Sequence, residues 1–306
     1  MAVRTGSWIK NQIPTLVLLL IIAAVVIWAM ATGQVQAGEQ IITVGKGIVL
    51  VIVGFLAGLL GGLIGTGGCS VMLPIIHFWM GFPAPLAVGT TLFAVIFTAL
   101  SGAWGHLVRR NLDTRATLWL GGFGILGVFL GSWLFTLVAP QAKLLGLILG
   151  VIFLWPAIRM VWEGIQGFAG KGPMKKEGNV IPGSAWGMAI FGFIVGVTTG
   201  IAGLGGGYAL VPGMIYLFGA PVYITMGTSL AVMVPLALVG GLIKLAQGFV
   251  VVAAGGLLGG GTIIGAQVGA AIIKRFKPHT LKFIFGLYFL YVSLKFITGY
   301  FGIHIW

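Results

Sequence analysis

The sequence predicts an all-α polytopic membrane protein built from two repeats, and three observations support this: composition, long apolar runs and internal repetition. Hydrophobic residues make up 59% of the 306 residues and charged residues only 7%, whereas ordinary soluble domains carry about 25% charged residues. Most of the long apolar runs approach the roughly 20 residues that a helix needs to cross a bilayer, and barrel strands would be about half as long. The runs cover residues 13–31, 47–64, 84–105, 116–138, 144–161, 185–202, 222–243, 249–273 and 283–301.

One pattern occurs twice along the chain. Shifting the sequence by 138 residues carries Gly54 onto Gly192, and many glycines, three prolines and the pair Thr90 and Thr228 then coincide without a gap. We therefore expect a first repeat at residues 45–169 and a second at 183–306, joined by a polar linker at 170–182. Residues 1–44 precede them as a transmembrane helix and an external loop.

The first apolar run has two interpretations. Arg4 and Lys10 precede it and small residues at 35–37 follow it, as in a cleaved signal peptide. The run is longer than the usual signal core, which favours a retained first helix with its N-terminus in the cytoplasm.

Each repeat divides into five helical segments, A to E, and segment B is short. The segments cover residues 47–64, 70–80, 85–108, 116–138 and 141–162, and then 184–202, 208–218, 221–245, 249–273 and 278–300. Segment B cannot cross a bilayer at 1.5 Å per residue. We expect A and B to form a hairpin packed among C, D and E, with a glycine loop at its tip, residues 65–69 or 203–207.

Lys and Arg residues indicate how the repeats are oriented. If both repeats pointed the same way, the two C–D loops together would hold four positive charges and the two D–E loops five, so neither side would be favoured. If the second repeat is inverted, 13 of the 17 fall on one side, the remaining ones being Lys46, Lys143, Lys244 and Lys295. The positive-inside bias therefore predicts inverted repeats in the inner (plasma) membrane, a cytoplasmic linker and an external C-terminus. It also explains the basic charge without nucleic-acid binding.

The two glycine loops are the first candidate binding elements. Interrupted helices of inverted-repeat transporters present backbone N–H groups to anions, and glycine allows left-handed dihedrals and close approach of a ligand. The alternative is that these glycines only pack helices together, which we favour for the glycines spaced by four from Gly54 and Gly192. The candidate residues are Thr66, Gly67, Gly68, Cys69, Leu204, Gly205, Gly206 and Gly207.

A second repeated motif lies early in both C segments. Its hydroxyl groups could donate to the oxygens of an anion, or each could bond to the carbonyl one turn back. The motif residues are Gly89, Thr90, Thr91, Gly227, Thr228 and Ser229.

His106 and Lys244 hold equivalent positions near the ends of the C segments. Either could have a gating or proton-linked role, although cations near helix ends more often extend to the headgroups. Cys69 stands where the second repeat has Gly207, so either a small residue suffices there or its thiol meets a sulfur substrate. Four scattered acids, four histidines and one cysteine provide no metal site, no cofactor site and no catalytic constellation.

The repeated segment GFxxGxxxGxxGxGG…P, the following GT(T/S)L and the stretch SGAWGHLVRRNLD at residues 101–113 resemble the sulfite exporter TauE/SafE family. The resemblance covers both repeats and implies a permease for small sulfur-containing anions such as sulfite, sulfoacetate or other organosulfonates, with proton coupling as a candidate. The resemblance implies that the two glycine loops and the two GT(T/S)L turns bind the substrate. Cys69 and the added first helix depart from the family pattern.

The predicted function is therefore secondary transport of a small inorganic or organic sulfur anion by alternating access within the lipid bilayer. The alternative is a membrane subunit that anchors an enzyme complex without moving a solute. The sequence leaves the oligomeric state open.

Overall fold

The computed structural model describes residues 5–33, 36–37, 40–170, 178, 180–272 and 278–303, and nearly all of them are helical. A pair of two-residue strands, β1 (Gln36–Ala37) and β2 (Gln40–Ile41), lies between the first two helices. The helices are α1 (Thr5–Ala31), α2 (Val44–Ile64), α3 (Cys69–Pro74) with a π-helical turn (Ile75–Trp79), α4 (Ala84–Val108), α5 (Thr114–Val138), α6 (Ala142–Phe168), α7 (Ala185–Ala202), α8 (Gly207–Leu217), α9 (Val222–Ala246), α10 (Val252–Ile272) and α11 (Pro278–Tyr300).

Within the described residues, eight helices are long and apolar enough to cross a membrane: α1, α2, α4, α5, α6, α7, α9 and α10. Large apolar side chains cover their outer faces, and Leu118, Trp133 and Trp186 are 58–70% exposed. The central helix α4 is instead buried over most of its length. Apolar residues are therefore both inside and outside, as expected of a multi-pass membrane protein.

The two short B helices are confirmed within one residue of their predicted ends, as Cys69–Trp79 and Gly207–Leu217. Segment E of the first repeat was predicted to end at residue 162, but α6 continues to Phe168. Most of the linker at 170–182 and the predicted end of the tenth helix at 273 lie outside the described residues.

Each A helix packs along the D helix of the other repeat. A Cβ atom placed on Gly54, Gly58 or Gly62 of α2 would lie 2.2–2.4 Å from a carbonyl oxygen of α10, at Leu258, Thr262 and Ala266 in turn. Glycines of α7 contact α5 in the same manner, and both pairs of helices run parallel. The packing interpretation of the glycines spaced by four is confirmed. Each hairpin was expected to pack among segments C, D and E. In the structure, the D helix that contacts each A helix belongs to the opposite repeat.

Equivalent helices of the two repeats contact each other and run antiparallel. Along α4 and α9, Gly102 lies against Leu230, whereas Gly240 lies against Leu92. Along α6 and α11, a Cβ atom on Gly150 would lie 2.7 Å from Ile297, and one on Gly164 would lie 2.5 Å from Phe283. These contacts place the C helices at the centre, with A and D on either side.

Candidate functional site

Each A helix ends at a glycine in the left-handed conformation. Gly65 ends α2 with a φ of 80°, and Gly203 ends α7 with a φ of 67°. A residue with a side chain costs about 1–2 kcal/mol of folding free energy in the left-handed region of φ and ψ. The backbone conformation at these two positions therefore requires glycine. Four further loop glycines share this conformation, with φ between 68° and 86°: Gly67, Gly68, Gly205 and Gly206.

The two glycine loops contact each other, although 135 residues separate Cys69 from Leu204. The Cys69 Sγ donates a hydrogen bond to the Leu204 carbonyl oxygen. Thr66 packs against Gly207, where an added Cβ atom would lie 2.6 Å from the Thr66 Cα. The structure therefore brings together the two segments that the sequence selected.

Two apolar side chains from the C helices pack against both loops. Val95 and Met233 hold equivalent positions in α4 and α9, and both are fully buried. A Cβ atom on Gly67 would lie 2.1 Å from the Met233 Cε, and one on Gly205 would lie 2.8 Å from the Val95 Cγ1. Sequence reasoning missed this pair, although it falls five residues after the repeated threonine in each half.

The repeated threonines hold the starts of the D helices. The Thr90 Oγ1 accepts a hydrogen bond from the Val251 N–H at 3.0 Å, and the Thr228 Oγ1 accepts one from the Asp113 N–H at 2.9 Å. Asp113 is the N-cap residue of α5, and Val251 immediately precedes α10. Each bond joins one repeat to the other, so these hydroxyl oxygens connect the two halves.

The glycines of the same motif allow backbone to approach the C helices. A Cβ atom on Gly89 would lie 2.0 Å from the Phe249 carbonyl oxygen, and one on Gly227 would lie 1.7 Å from the Asn111 carbonyl oxygen. Phe249 lies just before α10 and Asn111 just before α5, so each glycine contacts the segment that leads into the D helix of the other repeat. Glycine at these positions therefore has a packing role.

The third residue of the motif differs between the repeats. The Thr91 hydroxyl donates to the Ala87 carbonyl at 2.7 Å, which is the local bond that the alternative interpretation expected. The Ser229 hydroxyl instead donates to the Gly65 carbonyl at 2.8 Å. Ser229 therefore fixes the end of α2, directly before the first glycine loop.

His106 and Lys244 are completely buried, so the expectation that they extend to the headgroups is wrong. The His106 Nε2 lies 3.4 Å from the Gly62 carbonyl oxygen. The Lys244 Nζ lies 3.2 Å from the centre of the Phe135 ring. Both side chains turn inward because α4 and α9 are enclosed by the remaining helices.

A cavity of about 30 Å³ adjoins the first loop, and an ion pair that sequence reasoning missed forms part of its wall. Thr66 and Tyr208 line it together with Arg159 and Glu163. The Arg159 Nε donates to the Glu163 Oε1 at 3.0 Å, and its Cζ lies 3.8 Å from the centre of the Tyr216 ring. Arg159 lies within the predicted segment E and Glu163 in the extra turns of α6. Arginine and glutamate spaced by four on a helix were the sequence signal of this pair.

Known proteins are similar to this chain in sequence. The sequence model of the family described as sulfite exporter TauE/SafE matches residues 50–296. The probable membrane transporter protein YdhB of Bacillus subtilis is 32% identical over 238 residues, which cover 77% of this chain and 94% of YdhB. A probable membrane transporter protein of Xylella fastidiosa is 28% identical over 83% of this chain and 93% of its own length.

A third relative is more distant. The sulfite exporter TauE/SafE family protein 3 of Arabidopsis thaliana is 27% identical over 44% of this chain and 29% of its own length. No solved structure was found to match the chain. From the family match across both repeats and the membrane-spanning helices, we conclude that the chain belongs to the sulfite exporter TauE/SafE family and is a membrane transporter, not an enzyme.

Proposed function

We propose that this chain is a secondary transporter that moves small sulfur-containing anions, such as sulfite or organosulfonates, by alternating access. The observation that carries the proposal is the contact between the two glycine loops, made through Cys69 and Leu204. Each loop interrupts the helical path inside the bundle and opens a short helix. Such loops expose backbone N–H groups that suit an anion.

The charges around the loops favour an anion over a cation. Both oxygens of the Asp113 carboxylate accept hydrogen bonds from the backbone: Oδ1 from the Ala116 N–H and Oδ2 from the Ile181 N–H. Glu163 is paired with Arg159. The described acids are thus engaged, and His106 and Lys244 are buried inside the bundle.

The antiparallel contacts between equivalent helices support inverted repeats at residues 45–169 and 183–306. Together with the positive-inside bias, inverted repeats would have the N-terminus and the linker at 170–182 in the cytoplasm and the C-terminus outside the inner (plasma) membrane, and we include this orientation in the proposal. Single cysteines placed at Arg110 and Arg275 in a Cys69→Ser background should react with a membrane-impermeant maleimide from the same side. Labelling from opposite sides would disprove the inversion.

The transport proposal is tested by flux into proteoliposomes containing the purified full-length protein. Sulfite, sulfoacetate and methanesulfonate are offered with and without a pH gradient, against protein-free vesicles. We expect uptake of at least one of these anions, and a response to the pH gradient would support proton coupling. Absence of flux with all three would overturn the proposal and favour a non-transporting membrane subunit.

The role of the loops is tested with substitutions at Gly68, Gly206 and Thr66. Leucine at either glycine should abolish flux, whereas Gly122→Leu should not, because nothing lies within 4 Å of a Cβ atom at Gly122. Leucine also strains the positive-φ backbone, so Thr66→Val, which preserves side-chain shape, is the milder loop variant. Full flux in all loop variants would contradict a binding role for the loops.

A further inference from the structure

Three buried polar side chains lie where α5, α7 and α9 meet, and none has a hydrogen-bond partner among the described residues. They are the Ser132 hydroxyl on α5, the Thr199 hydroxyl on α7 and the Lys244 amino group on α9. Ser132 is 1% exposed, and the other two are 0% exposed. The sequence had selected only Lys244 among them.

Contacts link the neighbouring helical turns that carry the three residues, and Thr199 lies beside the second glycine loop. A Cβ atom placed on Gly206 would lie 3.0 Å from the Thr199 Oγ1. The residue after Thr199, Gly200, packs on α5, where an added Cβ atom would lie 2.5 Å from the Ser132 backbone nitrogen. The Lys244 Nζ lies over the ring of Phe135, which is one helical turn along α5 from Ser132.

Three unpartnered polar groups in one buried region are unusual, because buried hydroxyl and amino groups in native proteins are nearly always hydrogen-bonded. The Phe135 ring attracts the amino group from one side only, and an ammonium has three N–H donors to satisfy. Ionisable groups inside membrane proteins are costly and mark substrate pathways. The cluster therefore has the character of a ligand site.

The donor groups specify the chemistry of the ligand. A protonated amino group and two hydroxyls offer several hydrogen-bond donors and one positive charge, which suit an oxyanion with three exposed oxygens. The described residues contain no group of three His, Cys, Asp or Glu side chains that could hold a metal ion. The adjacent helix α8 begins at Gly207 and directs the positive end of its dipole toward the same loop.

We propose that Lys244, Ser132 and Thr199 bind one sulfur oxyanion, sulfite or the sulfonate group of an organosulfonate, beside the N-terminus of α8. This inference rests on the proposed transport function and identifies the groups that hold the substrate. At the repeat-equivalent positions, Lys244 corresponds to His106 and Thr199 to Gly61 in the first repeat, and Ser132 corresponds to Ala270 in the second. The set of three polar side chains therefore occurs once in the chain, with residues from both repeats, and it binds one anion per chain.

The test uses the full-length protein and four variants: Lys244→Met, Thr199→Val, Ser132→Ala and the control Lys143→Met, which removes an exposed lysine. Sulfite uptake in proteoliposomes gives KM and maximal rate, and thermal unfolding gives stability. Lys244→Met should raise KM about 10- to 100-fold, and Thr199→Val and Ser132→Ala about 3- to 10-fold each. Lys143→Met should leave KM within about twofold.

Stability separates loss of binding from loss of folding. Lys244→Met removes a buried amino group without a protein partner, so its unfolding temperature without sulfite should equal or exceed that of the wild type. Sulfite should raise the unfolding temperature of the wild type but not that of Lys244→Met. A wild-type KM in Lys244→Met would overturn this inference and leave the transport proposal intact, whereas a wild type that moves no sulfur anion would overturn the transport proposal itself.

Discussion

Met233 provides a quantitative test of how tightly the two glycine loops are packed. A Cβ atom on Gly67 would lie 2.1 Å from the Met233 Cε, whereas carbon atoms prefer about 3.5–4.0 Å. The methyl group must therefore retreat by about 1.5 Å in Gly67→Ala. Overpacking of this kind costs about 1–3 kcal/mol, and the positive φ adds about 1–2 kcal/mol.

A double-mutant cycle with Met233→Ala separates these two contributions. Removing the methionine tip should relieve the overpacking but not the backbone strain, so the double variant should be more stable than additivity predicts by about 1–3 kcal/mol. The assay is the unfolding equilibrium of each variant in mixed detergent micelles, with sulfite flux measured in parallel. A coupling energy below about 0.5 kcal/mol would show that Met233 does not close the space beside the loop.

Three further substitutions test other contacts, each by thermal unfolding of the purified protein. Gly68→Ala should be strongly destabilising because its Cβ atom would lie 2.3 Å from a carbonyl oxygen of α2, whereas Gly122→Ala should be neutral; equal effects would refute the close approach. Ser229→Ala should cost about 0.5–1.5 kcal/mol through its lost bond to the Gly65 carbonyl, and an unchanged transition would show that this bond contributes nothing. Arg159→Gln removes the cation that faces the buried Glu163 carboxylate, so neutralising that carboxylate as well should restore stability; a further loss in the double variant would contradict this.

Much of the fold was predictable because membrane helices follow simple physical rules. The lengths of the apolar runs predicted the membrane-spanning helices, and the repeated glycines predicted the ends of the two short helices to within one residue. The left-handed conformation of Gly65 and Gly203 also follows from the sequence, since glycine is the residue that adopts it at low cost. These features depend on the backbone and on residues close together in the chain.

The features that were missed depend on contacts between distant segments. Lys244 was expected at the headgroups because it stands near a helix end, but its burial is set by helices that enclose α9. The hydroxyl of Thr90 was considered for an anion or for its own helix, and it accepts a hydrogen bond from Val251, 161 residues away. A pattern of neighbouring residues does not predict partners so far apart in the chain. Neither the burial of Lys244 nor the hydrogen bond of Thr90 could therefore be predicted from the sequence alone.

The two halves share their scaffold and differ in their chemistry. Loop glycines with positive φ, threonines that hold the D helices and parallel A–D packing recur in both repeats. Lys244 and the ion pair of Arg159 and Glu163 occur once, with His106, Ile297 and Phe301 at the corresponding positions. Backbone geometry must be repeated for two halves to pack around one axis, whereas one bound anion needs only one set of charges. Residues that break the repeat while remaining buried are therefore the ones that we expect to define the substrate.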